Sequence, residues 1–130
     1  MKRPMRLVVS AALLAGCAAG DTSDLLRLGL DVRFDQKNKC RGVSPEIRLT
    51  HVPPHVALYE IRVTDLDVPG FSHWNETLAA NGPVIPEGAG IGYQGPCPPF
   101  GQHRYEITVT ARGAQGQPVA YGEKIVHVAR

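Results

Sequence analysis

The sequence predicts a mainly β protein, an antiparallel β-sandwich, on three observations. Fourteen glycines and eleven prolines in 130 residues, with no collagen-like period, favour a turn-rich β domain over a helix bundle. Apolar and polar residues alternate with a period of two in several windows, and no window sustains a period of 3.6. Hydrophobic residues make up 43% and charged residues 20%, which is not a disordered composition. A chain of this length suits one domain with its own core.

The elements follow in order. In residues 26–34, Leu26, Leu28, Leu30, Val32 and Phe34 alternate with Arg27, Gly29, Asp31 and Arg33, which predicts one strand with one buried face. Residues 47–52 form a second, shorter candidate, closed by Pro53 and Pro54. Residues 57–65 form a third, with Tyr59, Ile61 and Val63 inward and Glu60, Arg62 and Thr64 outward. Residues 81–99 are dense in Gly and Pro and predict a long ordered loop. Residues 103–111 form a fourth strand, with Ile107, Val109 and Ala111 inward. Residues 119–128 form a fifth, joined to the fourth through the turn formers of residues 113–118.

The N-terminus reads as a leader rather than as fold. Lys2, Arg3 and Arg6 precede a short apolar run from Leu7 to Leu14, as in a secretory signal. That run is too short for a bilayer, which takes about 20 residues. Leu14-Ala15-Gly16-Cys17 resembles a bacterial lipobox, in which the cysteine thiol takes lipid and becomes the mature N-terminus. The alternative is ordinary secretory cleavage near Ala19, with Cys17 incidental. The lipobox reading divides the chain into a signal peptide, 1–16, a lipidated tether, 17–24, and one domain, 25–130. Ala18 after the cysteine, by resemblance to enterobacterial sorting, implies the outer membrane, facing the periplasm. The expected location is thus the bacterial cell envelope, with membrane attachment through lipid. Removing the three leader cations turns a formal charge of +2 into 11 basic against 12 acidic residues. No basic patch for nucleic acid survives that subtraction.

Two strands carry polar residues on their apolar faces. Parity puts Asp65 on the face of Tyr59, Ile61 and Val63, and puts His103 and Tyr105 on the face of Ile107 and Val109. A buried carboxylate is unfavourable unless it is hydrogen-bonded or paired. Imidazole and phenol are natural partners. Either the end of the third strand and the start of the fourth converge on one polar pocket at the sandwich rim, or each residue sits where its strand frays into water.

Several segments resemble the phosphatidylethanolamine-binding protein family, also called kinase inhibitor-like proteins. Thr64-Asp65-Leu66-Asp67-Val68-Pro69 is similar to the family's Asp-Pro-Asp-x-Pro motif, with Leu66 in place of the first proline. Gly95-Pro96-Cys97-Pro98-Pro99-Phe100-Gly101-Gln102-His103-Arg104-Tyr105 matches its second signature almost residue for residue. Ser44-Pro45-Glu46-Ile47 and Ile85-Pro86-Glu87-Gly88 resemble segments of its bacterial members. The resemblance implies a large antiparallel sheet packed on a smaller one, with an anion pocket at one end. It places Asp65, Asp67, His73, His103 and Tyr105 in that pocket, with the backbone of Gly95 and Pro96 as its floor. After His73-Trp74 the family continues as a hydrophobic strand, whereas residues 75–80 here are polar and weak as a strand. No longer helical segment of the animal kind follows Val128.

This is equipment for binding a small anionic or phosphorylated group, a phospholipid headgroup being the family's type. The imidazoles and phenol donate to a phosphate or carboxylate, and Asp65 fixes a histidine tautomer. It is not an evident catalytic machine, since no nucleophile elbow is present. Asp65, Asp67, His73 and His103 are metal-ligand types, but their spacing matches no standard metal motif, and no cofactor is expected. His51, His55 and His127 read as surface histidines, and Phe71 and Trp74 as loop anchors packed on the core. The alternative function is an interaction protein, for instance an inhibitor of a periplasmic hydrolase. The resemblance also bears on the cysteines. With Cys17 taken by lipid, Cys40 and Cys97 lie in segments that border the same pocket end in family members. They are expected to form a disulfide, the alternative being two buried thiols.

Overall fold

The computed structural model describes residues 21–130. The expected signal peptide, Cys17 and the first part of the tether lie outside the described residues. Among the described residues eight strands form two sheets: β1 (Leu26–Arg27), β2 (Gly29–Val32), β3 (Ile47–Thr50), β4 (Leu58–Asp65), β5 (Ser72–Ala79), β6 (Val84–Ile85), β7 (Gln102–Arg112) and β8 (Pro118–Ala129). The larger sheet has the order β1-β8-β7-β4-β5, and the smaller has the order β2-β3-β6. All pairings are antiparallel except that of β1 with β8. The only helical element among the described residues is a single 3-10 turn, Gln36–Asn38. The expected β-sandwich is the observed fold.

The core lies between the sheets. Tyr59, Ile61 and Val63 of β4 face Ile107, Val109 and Ala111 of β7, all at most 1% exposed. Leu28, Val32, Ile47, Leu49 and Ile85 close it from the smaller sheet. Each Val, Leu or Ile side chain among them contributes about 1.5–3 kcal/mol relative to an exposed one. Period-two alternation therefore reads correctly along β4 and β7, whose outer faces carry Glu60, Arg62 and Arg112 in a charged cluster.

The predicted strand over residues 26–34 is two strands in different sheets. Leu26 and Arg27 pair with Ala120 and Tyr121 in β8, while Gly29 to Val32 pair with β3. Leu28 is the crossover: it is buried, and its amide donates to the Tyr121 carbonyl at 2.9 Å. The crossing passes close over Gly122, where a Cβ would lie 2.7 Å from the Leu28 carbonyl oxygen. Leu26 is consequently 60% exposed rather than core.

Residues 75–80 are not a break in the sheet but most of β5. This strand lies at the sheet edge, so its outer face stays in water and carries Asn75, Thr77 and Ala79. Its backbone pairing to β4 is unbroken from Leu58–Ala79 to Val63–Trp74 and needs no apolar outer face. The register then slips between Val63 and Thr64, leaving His73 as an extra residue. Such a bulge turns two consecutive side chains to one side, and His73 and Trp74 are both buried.

Candidate functional site

The polar residues meet where β4 ends and β7 begins. Register places Asp65 directly opposite Tyr105. Asp65 is only 4% exposed. Its Oδ1 accepts from the amides of Asp67 and Val68 at 2.8 and 3.1 Å, a turn that ends the strand. Its Oδ2 accepts from His103 Nδ1 at 2.7 Å. Burial alone would raise the Asp65 carboxyl. The hydrogen bonds from His103, Asp67 and Val68, with the attraction of the His103 ring, bring it net below its ordinary value.

The bulge in β5 delivers the second imidazole. His73 Nδ1 donates to the Gln94 carbonyl at 2.8 Å, and the Gln94 amide donates back to the His73 carbonyl at 2.7 Å. The ring packs edge-on against Tyr105, with centroids 5.2 Å apart, and against Phe71 at 4.7 Å. The His103 ring lies 6.3 Å from that of Tyr105 and nearly parallel to it. The Tyr105 hydroxyl is buried with no hydrogen-bond partner. Burial first, then the Asp65 carboxylate, push this phenol up to about 12. Asp65 raises it by its charge and by the approach of its carboxylate to the hydroxyl.

These groups line a cavity of about 790 Å³. Of the residues expected there, Asp65, His73, Gly95, His103 and Tyr105 line it, and Asp67 and Pro96 do not. Asp67 turns to β7 instead. It accepts from the Arg104 amide at 2.7 Å and from Arg104 Nη2 at 3.1 Å, and the backbone bond before the side-chain one holds its carboxyl low. It clamps the β4–β5 turn onto the strand that carries His103. Pro96 is buried behind the wall, its carbonyl accepting from the Cys40 amide at 3.1 Å.

The opposite wall comes from two irregular segments fastened together. Cys40 and Cys97 form a disulfide, with Cα atoms 4.7 Å apart, and both line the cavity. The Gly95 amide donates to the Cys40 carbonyl at 2.8 Å. A Cβ at Gly95 would press on the Asn38 carbonyl oxygen and lie 2.7 Å from the Cys40 nitrogen, so only glycine fits. Buried Asn38 supports this wall: its Nδ2 donates to the Val43 carbonyl at 3.1 Å, and its carbonyl accepts from the Tyr93 hydroxyl at 2.5 Å.

Sequence reading passed over Arg41, Val68, Tyr93 and Gln94 as site residues, and they line the cavity together with Phe71. Phe71, expected as a core anchor, is 45% exposed at the cavity edge. Trp74 is a core residue, 1% exposed, and its Nε1 donates to Glu76 at 2.8 Å. For Arg41 and Gln94 no local signal existed, because neither interrupts a periodic pattern. Their adjacency to Cys40 and Gly95 was the available clue. His51, His55 and His127 are all exposed. Among the described residues no three His, Cys, Asp or Glu side chains form a group able to hold a metal. None of their helices is long and apolar enough to cross a membrane.

Comparison with known proteins agrees with this geometry. The profile of the family described as phosphatidylethanolamine-binding protein matches residues 24–127. A putative phosphatidylethanolamine-binding protein homologue from Chlamydia trachomatis superposes with a TM-score of 0.62 at 22% identity, over 83% of this chain and 99% of that one. The Escherichia coli protein YbcL, described as a new member of the mammalian family, gives 0.62 at 18% identity, over 80% and 98%. At such identity these neighbours speak for the fold alone. No curated protein shows a significant sequence match.

Proposed function

The chain belongs to the phosphatidylethanolamine-binding protein family, and on that premise we propose that its rim cavity recognises a small anionic or phosphorylated group of the phospholipid-headgroup kind. The observation that carries this reading is the pair of imidazoles, His73 and His103, that line the cavity with their Nδ1 atoms already engaged behind them. Arg41 on the opposite wall adds a cation at the mouth. Val68, Phe71 and Pro99 offer apolar surface for the remainder of such a ligand. In this reading the protein is a binding module and not an enzyme. It is held in the bacterial cell envelope by lipid on Cys17, at the outer membrane facing the periplasm.

Titrating phosphoethanolamine and inorganic phosphate into the full chain, with amide chemical shifts as readout, tests it. Shifts should cluster at Gly95, His103 and Tyr105 and vanish in H103A. Shifts scattered over the surface, or unchanged by H103A, would overturn the reading.

A second reading, an inhibitor of a periplasmic hydrolase, draws support from the exposure of Phe71 and of Phe100, at 45% and 85%. Both lie on loops beside the cavity, where a protein partner would cover them. H103A separates the two: it abolishes anion binding under the first and leaves inhibition intact under the second.

A further inference from the structure

The hydrogen bonds around the two histidines leave each ring one way to meet an anion. A carbonyl oxygen cannot donate, so His73 Nδ1 must carry the proton in its 2.8 Å contact with Gln94. An ionised carboxylate cannot donate either, so His103 Nδ1 carries the proton in its 2.7 Å contact with Asp65. In a neutral ring the Nε2 atom then holds a lone pair. Neither Nε2 has a hydrogen-bond partner among the described residues, and both residues line the cavity. A lone pair repels an anionic oxygen. It becomes a donor only by taking up a proton, since both tautomers are fixed from behind.

We propose that anion capture in this cavity is coupled to proton uptake, one proton arriving at Nε2 of His73 and one at Nε2 of His103. The inference rests on the anion-site reading above and adds its regulation. The surroundings accommodate the two cations. Asp65 from β4 and Asp67 from the following turn lie beside His103. Arg104 on β7 is already engaged by Asp67. Arg41 is a competing cation on the far wall, and the bound anion offsets it. Tyr105 faces both rings and Tyr93 lines the same wall. Burial raises both phenols, Tyr105 to about 12, so they stay neutral donors across the range in which histidine ordinarily exchanges its proton. Binding therefore takes up protons, and the site holds anions less well as pH rises. Affinity for an anion of fixed charge should fall by up to about a hundredfold per pH unit on the alkaline side, tenfold for each coupled proton.

Sulfate serves as the probe, because its charge does not change between pH 5 and 9. Long-range nitrogen NMR of the full chain at pH 8 should show Nε2 of both rings as lone-pair nitrogens in free protein. At saturating sulfate both should become N–H. Isothermal titration in buffers of different ionisation enthalpy should give an uptake approaching two protons, and approaching one in His73→Gln. Pocket amides that shift with sulfate while both rings stay neutral would overturn the coupling and leave the anion site standing. No pocket shift with sulfate or inorganic phosphate anywhere from pH 5 to 8 would overturn both. The wild-type measurements decide the matter even if the variant folds poorly.

Discussion

Replacing Asp65 with Asn tests whether the buried carboxylate organises the rim. The Asn side chain is isosteric, and its oxygen can still accept from the amides of Asp67 and Val68, as Oδ1 does at 2.8 and 3.1 Å. Its nitrogen, however, would face His103 Nδ1, where Oδ2 now accepts at 2.7 Å. Two donors then confront each other unless the imidazole changes tautomer. A charge-assisted bond contributes about 1.5–3 kcal/mol and a neutral one about 0.5–1.5, so the expected loss at pH 7 is about 2 kcal/mol, or about 8 °C in Tm for a domain of this size. The side chains are 6% and 20% exposed, so solvent screening removes little of this. The pH dependence has a definite sign. The Asp65 carboxyl is lowered in the folded state, so its contribution is complete above the unfolded value near 3.9 and disappears as pH falls through the lower folded value. Urea unfolding followed by the fluorescence of Trp74, the only tryptophan and 1% exposed, gives both stabilities. The gap between wild type and D65N should be widest near neutrality and narrow as acid protonates the folded Asp65 carboxyl. A gap under about 0.5 kcal/mol at pH 7, below even a single neutral bond, would refute the reasoning. So would a gap that does not change with pH.

Opening the Cys40–Cys97 bridge frees a loop of 57 residues' separation, and on the chain-entropy model C40S/C97S should lose about 4 kcal/mol. Denaturant unfolding of wild type with and without reductant should reproduce that difference, and a loss under about 1 kcal/mol would show that the backbone bonds between the segments suffice. Gly95→Ala should destabilise by about 1–3 kcal/mol and weaken phosphate binding, because its Cβ would push the Cys40 segment away. Gly92→Ala, with open space around it, should be near neutral in the same melts. Cys17→Ser should move the protein from the membrane to the soluble periplasmic fraction on cell fractionation. A variant that stays with the membrane, beside a wild type carrying no lipid by mass spectrometry, would refute the anchor.

Much of this protein is legible in one dimension. Period-two alternation is a consequence of strand geometry, so the inward faces of β4 and β7 are readable from Tyr59, Ile61 and Val63 and from Ile107, Val109 and Ala111. Asp65, His103 and Tyr105 were readable as a group for the same reason, since each breaks an apolar face near a strand end. The motif around Gly95 to Tyr105 carried the family and, with it, His73 and the cysteine pair. The rest depends on which segment lies beside which. Leu26 belongs to the apolar series of residues 26–34, yet the chain changes sheets at Leu28 and leaves it in water. Residues 75–80 look too polar for a strand, yet an edge position asks for backbone pairing and burial on one face only. His73 enters the cavity because a one-residue slip in β5 turns it inward beside Trp74, and register is a property of two strands together. Asp67, alike in sequence to Asp65, faces Arg104 because the turn rotates it there. Arg41 has no local mark beyond its neighbour Cys40, and Phe71 reads as a core anchor. They become part of the cavity because the disulfide and the β4–β5 turn carry their segments to the rim, contacts between residues far apart in the chain that only tertiary structure decides.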